Sequence, residues 1–542
     1  MRSEENYSWG FDGSPQNSLM REEWGRATVF DMGEPGSHNG YFHLYINGLY
    51  WGIYNWEERT ESDFGATYLG GNKATTDVLK SSGASGNPGY STETTGGNFG
   101  AWQTFNTLCI ALKNDATETG RTAKYMQMRG LNPAGTPNAA YPVLLDTDNL
   151  IDYLLDIFYD GSFDAPLSTF LNNGSNNWFG MRDRTGTRGF AFFIHDNEHG
   201  LDTGNQSYNR VGPWGGTGSN NWGQPEYGTR ETFNRSNPQY LHELLAYSAE
   251  YRQRFADRVQ KHCFNGGALT TSAALIRLNA LAALVDPMIH AEAARWGSNS
   301  LNRTSWLSAK AAIINCINNG GSPRGGETAF ATQSRASLIV AELQGYQDPV
   351  GSAKPLAATF LAPTFSAQFG GSVSNPYTFN IANPNSPAGT IYYSVNGADP
   401  RNIGGGINAG ALTGAGPIPV TIAGTANVQA RVYNSATQVW SALTQTQYYE
   451  GNLATLSNLA IAKIHYHPEG ASYLARSSRR MPADKPAWDH ALGLGVGANA
   501  VAYSSTAAAF FPRGHSRSCT LAASIFSGGL LQRVTPMSWL RM

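Results

Sequence analysis

A chain of 542 residues is too long for one hydrophobic core, so two or three domains are expected. Hydrophobic residues make up 41%, aromatics 12% and charged residues only 14%, with 61 Gly, 26 Tyr and 13 Trp, a globular composition of the kind common in proteins that work outside the cell or meet carbohydrate. The formal charge of −2 gives no electrostatic footing for nucleic acid or an anionic membrane surface.

Residues 1–20 carry no apolar stretch of signal-peptide type, and the chain opens inside what reads as a structured segment, as if earlier elements had been lost. Two apolar runs, 41–46 (YFHLYI) and 49–56 (LYWGIYNW), flank Asn47-Gly48. Both central residues tolerate positive φ, so a β-hairpin with a type I′ turn is predicted. The stretch 70–100 is rich in turn residues. Over 146–159, Leu150, Tyr153, Leu154 and Ile157 recur at helical spacing, with Asp146 or Asp148 as N-cap. The run 189–194 (GFAFFI) reads as a buried strand delivering residues 195–199 at its end. Residues 202–238 lack periodicity and read as a long loop.

From 238 to 343 the pattern turns helical. Leu241, Leu244, Leu245, Phe255 and Val259 share one apolar face that ends at Gly266-Gly267. Further helices are expected over 271–295, interrupted at Pro287, and over 305–318 and 329–344. No apolar run of membrane-spanning length stands out. A linker is expected at 345–362, and 363–450 reads as short strands and turns, which argues for an immunoglobulin-like β-sandwich. From Ala471 onward there are eight Lys or Arg against two Asp and no Glu, and strand patterning fades. That segment reads as a basic tail or a frame-shifted end. Cys109, Cys263, Cys316 and Cys519 lie far apart, without zinc spacing, and read as free thiols. Trp9, Trp24 and Trp102 read as core, and Glu292, Arg295 and Trp296 as packing residues.

One acidic cluster carries the chemistry. His195-Asp-Asn-Glu-His199 matches H-x-x-E-H, where two histidines on one helical face hold zinc and Glu activates water. The segment follows a strand and runs into Gly200, a poor context for a helix. A polar loop is a second reading. In a third, Asp196 and Glu198 are oxygen ligands of a hard cation, and Asp164 in 163–166 (FDAP) adds a base, the set that phosphoryl transfer uses.

Together the runs YFHLYINGLYWGIYNWEER, FDAP after its helix, FFIHDNEHGL, DRVQKHCFNGGALT and IHAEAARWG resemble the CotH kinase family over residues 5–344. The resemblance implies an α+β, atypical protein-kinase-like fold, N-terminally truncated here, that uses ATP and Mg²⁺ or Mn²⁺ on Ser/Thr-rich protein substrates. It implies Asp164 as the catalytic acid–base residue and Asp196 and Glu198 as the metal pair. Thr169 stands where the family commonly has Asn, with Asn172 and Asn173 as substitutes; Glu58 and Arg59 fall at a characteristic family position, where they line the cleft or form a surface ion pair, and His195 and His199 are further cleft or substrate candidates. Arg21, Arg26 and Lys80 are the cations nearest to a phosphate-binding role.

Further on, 391–401 and 428–443 resemble the C-terminal sandwich of chitobiase-type hexosaminidases, and 459–468 the opening strand of a lamin-tail domain. The expected organisation is a kinase-like domain at 1–344, a linker at 345–362, a sandwich at 363–450, a lamin-tail-like start at 451–470 and the anomalous tail at 471–542. The expected role is that of an extracellular or cell-surface kinase. A non-catalytic adhesion protein with carbohydrate bound by the sandwich, or a zinc hydrolase, are the alternatives.

Overall fold

The computed structural model describes residues 7–83, 85, 90–171, 174–201, 210–212, 236–320, 333–385, 388–414 and 416–451, with strand pieces at 461–462 and 501–502. The basic tail, the lamin-tail-like start and Cys519 fall almost wholly outside them. Helices and runs of mostly antiparallel strands are interleaved up to residue 194, followed by helices and then strands, an α+β organisation.

The first unit opens with helix α1 (Arg21–Met32) and the hairpin β1 (Asn39–Ile46) and β2 (Leu49–Glu57). Asn47 and Gly48 both take positive φ, 51° and 80°, as the type I′ reading requires. Helix α2 (Ser62–Tyr68) follows, and then two strands, β3 (Thr76–Ser81) and β4 (Thr92–Gly96), inside the stretch expected to be turns. The turn-forming residues of 70–100 therefore flank and join strands instead of replacing them. Helices α3 (Gly100–Asn114) and α4 (Glu118–Met128) lead to α5 (Thr147–Asp160).

The Asp146 carboxylate caps α5 by accepting from Asn149 N at 3.2 Å, and Gly161 at φ 70° ends it in the left-handed region. Every residue of α5 is buried. Short strands β5 (Leu167–Ser168) and β6 (Gly174–Ser175) pair with each other, and β7 (Trp178–Asp183) and β8 (Ala191–Ile194) complete a sheet of order β4-β3-β7-β8.

Alternation along these strands gives the sheet two apolar faces. Leu79, Trp178, Phe192 and Ile194 enter the main core with α3 and α5, while Val78, Phe179, Met181 and Phe193 pack on Phe64 of α2. Trp102 of α3 stacks on Trp178 at 5.6 Å and meets Phe190 edge-on at 5.2 Å. Such aromatic pairs contribute about 0.5–1.5 kcal/mol beyond burial alone.

Helices α6 (Pro238–Leu245), α7 (Ala249–Cys263), α8 (Thr271–Trp296), α9 (Arg303–Asn319) and α10 (Arg335–Gln344) complete the unit. Helix α8 runs unbroken through Pro287, contrary to the expected interruption. Pro287 lies on the exposed face, where the carbonyl it strands one turn back, at exposed Ala283, is open to water. Alone among the described helices, α8 is long and apolar enough by composition to cross a membrane. Here Ala274, Leu278, Ala282, Val285 and Ile289 place it in the main core, and the buried Arg277 reaches Asp31 at 2.6 Å. The three described cysteines are buried free thiols, and Trp9, Trp24 and Trp102 are core residues.

Within the stretch 345–362, Tyr346, Leu356 and Ala357 belong to the main core. Beyond it lie two sheets. One has the order β10 (Gly371–Val373), β17 (Thr444–Glu450), β15 (Ala426–Asn434), β12 (Thr390–Ser394), β13 (Leu412–Gly414), with β16 (Val439–Trp440) on β15. The other has the order β14 (Ile418–Ile422), β11 (Tyr377–Ala382), β9 (Thr364–Phe365). Residues of both sheets, among them Phe379, Ile381, Ile391, Val420, Val432 and Tyr448, share one core.

Candidate active site

Strand β8 stops at Ile194 and the chain turns at Asp196, a non-glycine residue at φ 53°. That left-handed residue breaks the strand's alternation and sends 197–199 back toward the helices. Residues 195–199 are not helical, so the geometry that H-x-x-E-H needs for zinc is missing. The two rings also sit in different surroundings. His195 packs edge-on against Phe179 at 4.8 Å, while His199 lies 4.5 Å from Phe163 and its Nδ1 meets the Tyr7 hydroxyl at 2.8 Å.

Asp196 and Glu198 do converge, as expected, and a third acid joins them. Ligand oxygens of Glu22, Asp196 and Glu198 lie within 4.8 Å of one another, a spacing that one cation can bridge. Glu22 comes from the first turn of α1 and is fully buried, and Arg26 one turn later meets its Oε1 at 2.5 Å. Arg26 also pairs with Glu57 at the end of β2. An all-oxygen donor set of three carboxylates suits Mg²⁺ or Mn²⁺ better than zinc. Glu23, beside Glu22 and fully buried, is pushed up to about 7 by its burial and then by the charge of Glu22.

Asp164 stands after the C-terminal end of α5. Its Oδ1 accepts from the Ser168 hydroxyl, and its Oδ2 accepts from Asn177 Nδ2 at 2.8 Å. The same amide is 3.5 Å from the Asp196 carbonyl oxygen, so Asn177 bridges Asp164 to the turn that carries Asp196. Asn177 itself sits at φ 47° immediately before β7, a conformation that Asn tolerates better than most residues. His199 Nε2 is 3.9 Å from Asp164 Oδ2. Burial raises the Asp164 carboxyl from its ordinary value against the pull of its hydrogen bonds, and the charge of Asp196 adds to the rise. A carboxylate shifted this way is a better proton acceptor than one in water.

Other expected site residues lie elsewhere. Glu58 meets His38 Nδ1 at 2.5 Å and the Tyr68 hydroxyl, and Arg59 pairs with Glu61 at 2.7 Å. Neither is hydrogen-bonded or ion-paired to Asp164, Asp196 or Glu198. Successive residues leaving a strand point to opposite sides, and the hairpin carboxylate that reaches the centre, through Arg26, is Glu57. Asn172, Asn173 and the side chain of Thr169 lie outside the described residues. Among the nominated cations, Lys80 faces Glu93 at 3.2 Å and Arg26 is held by two glutamates. The Arg21 guanidinium lies 4.0 Å over the Tyr7 ring, whose hydroxyl contacts His199.

Sequence reasoning missed Glu22 and Asn177. Helix α1 has almost no amphipathic signal, because Arg21, Glu22, Glu23 and Arg26 are all buried in it. The one available cue to Asn177 was an Asn-Asn pair just before a buried strand.

With this geometry in view, the family model described as CotH kinase protein matches residues 12–321, more than half of the chain. The chain belongs to the CotH kinase protein family, a class of atypical kinase-like proteins. A search of curated proteins returned no match.

Proposed function

We propose that this protein is an atypical kinase that transfers phosphate from ATP to Ser or Thr hydroxyls of a surface or secreted protein. The observation that carries the reading is the arrangement around Asn177, whose amide holds the Asp164 carboxylate and reaches the Asp196 backbone beside the Glu22, Asp196 and Glu198 cluster. Glu22, Asp196 and Glu198 would hold Mg²⁺ or Mn²⁺, which neutralises phosphate charge when bound.

Asp164 orients the acceptor hydroxyl and takes its proton as the hydroxyl oxygen bonds to phosphorus and the bond to the ADP oxygen breaks. Asn177 fixes the carboxylate for that transfer, and Ser168 holds its other oxygen. The Tyr7–His199 contact and the ring of Phe163 close the side of Asp164 against water. Arg21 is the cation we assign to the phosphates. The two-sheet unit at 364–450 we read as an immunoglobulin-like accessory module of the chitobiase C-terminal type, in keeping with an extracellular setting.

The test is labelled ATP with Mn²⁺ and a Ser/Thr-rich protein acceptor, with the Asp164→Asn and Asp196→Ala variants alongside. Label transfer by the wild type that falls at least about 100-fold in either variant is expected. Absence of both nucleotide binding and label transfer in the wild type overturns the reading.

A further inference from the structure

Behind the turn that carries Asp196 and Glu198 lies a second group of acids that the phosphotransfer reading does not use. Tyr153, Asp156 and Asp160 are spaced i, i+3 and i+7 along α5, so they share one face of that helix. Asp156 and Asp160 are buried to 0% and 1% exposure. Asp160 accepts from Asn197 Nδ2 and from Ser162 N at 2.8 Å. Among the described residues neither oxygen of Asp156 has a hydrogen-bond partner, and the Tyr153 hydroxyl and Asn197 Oδ1, both buried, have none either.

These groups lie together. A methyl group on Gly25 would stand 2.6 Å from Asn197 Nδ2 and 3.4 Å from Asp156 Oδ2, and one on Gly200 would collide with Asp160 and Asn197. The negative charges of Asp160 and Asp156 act on the Tyr153 phenol, after its burial, to push it upward. The charge of Arg277 acts on Asp156, and those of Arg335 and Arg210 act on Asp160, from guanidiniums hydrogen-bonded elsewhere. Arg277 binds Asp31 and the Ala268 carbonyl, and Arg335 binds the carbonyls of Tyr159 and Phe158. Neither makes an ion pair with Asp156 or Asp160.

Two carboxylates and a phenol, enclosed and with no ion pair to either acid among the described residues, are penalised unless something fills the space between them. We propose that Tyr153, Asp156 and Asp160, with Asn197 Nδ2 holding Asp160 in place, form a second, enclosed site for one hard cation of the Na⁺ or Ca²⁺ type, separate from the Glu22, Asp196 and Glu198 cluster. The donors are all oxygens, and a neutral one is mixed with carboxylates, which favours such ions over zinc or copper. A cation here ties the last two turns of α5 to Asn197, and so fixes the turn that presents Asp196 and Glu198.

The test leaves catalysis aside. The full chain is stripped with chelator into choline chloride, then titrated with NaCl, KCl or CaCl₂ at constant ionic strength while the thermal midpoint and tryptophan fluorescence are followed. Trp24, stacked on Tyr159 at 5.6 Å, reports on this part of α5. The wild type and Glu198→Gln are expected to gain about 5 °C with one of these ions at a hundredfold excess over its dissociation constant. Asp156→Asn is expected to lose that gain, and Tyr153→Phe to need more of the ion for the same gain. Stabilisation equal for every salt, or none, overturns the proposal and leaves two protonated carboxyls. So does a gain that Glu198→Gln abolishes and Asp156→Asn keeps, which would place the ion in the outer cluster. Failure of phosphate transfer in the earlier assay would leave this result untouched.

Discussion

At the scale of single residues, Asn177 and Glu22 carry the sharpest consequences. Asn177 donates to Asp164 Oδ2 at 2.8 Å and approaches the Asp196 carbonyl, so its amide sets the orientation of the proposed proton acceptor. Asn177→Ala is expected to lower kcat for phosphate transfer roughly 10- to 100-fold with a much smaller change in KM, because a misdirected carboxylate costs more in the transition state than in substrate binding. Steady-state kinetics at saturating Mn²⁺ reads this, and equal effects on both constants would count against it. In the proposed reaction Glu22 would act on the cation instead. Glu22→Gln is expected to raise the Mn²⁺ concentration for half-maximal rate by about 10-fold or more, without lowering the rate at saturation as far as Asp164→Asn does. A metal titration separates the two behaviours.

At the scale of elements, α5 is held to α7 by a line of buried ion pairs. Arg254 meets Asp148, and Arg258 meets both Asp148 and Asp152. His262, one turn further along α7, reaches Asp152 at 3.1 Å. Burial still pushes His262 down to about 4, although the Asp152 charge pulls the other way, and burial alone pushes His242 of α6 down to about 3. The unfolded chain protonates both near pH 6.5 and the folded chain does not until well below that. Their contribution is therefore fully present above about pH 6.5 and is lost as pH falls toward 4. Between pH 6.5 and 4.5 each should cost roughly 2 kcal/mol of unfolding free energy. His242→Phe should make the urea midpoint less steep across that window. The variant starts lower, because the Tyr251 hydroxyl that meets His242 Nδ1 at 2.8 Å loses its partner.

At the scale of the whole molecule, the sheets of 364–450 are bolted to the helical unit by two arginines. Arg431 of β15 is buried and forks onto Asp257 of α7 with two contacts of 2.7 Å, and its remaining N–H groups reach Asp399 at 2.8 and 2.7 Å. Arg401 forks onto Glu250 at 2.8 and 2.6 Å. Removing one member of a buried pair strands the other, so Arg431→Met should cost about 3–5 kcal/mol and expose the 345–362 stretch to protease. Combining it with Asp257→Leu should recover part of that loss, since an apolar pair of similar volume carries no desolvation penalty. A double-mutant cycle on urea unfolding measures the difference, and an additive result would mean that the two residues are not coupled.

Much of this architecture was legible in the chain. The Asn47-Gly48 hairpin, the Asp146-capped helix, the buried strand before His195 and the convergence of Asp196 with Glu198 all follow from local rules that act over a few residues. Turn propensity, capping, period and short-range spacing need no partner from elsewhere. What failed were judgements about residues whose surroundings come from distant segments. Pro287 is tolerated because of which face of α8 meets water, the strands of 70–100 exist because β7 pairs with β3, and Glu57 rather than Glu58 faces the centre because α1 lies there. The sequence by itself determined the elements and the acidic pair at 196 and 198. Tertiary structure alone decided that Glu22, 174 positions earlier, and Asn177 complete the site. The reason is physical: a carboxylate's role depends on the charges and dielectric around it, and in a folded chain those are supplied by residues remote in sequence.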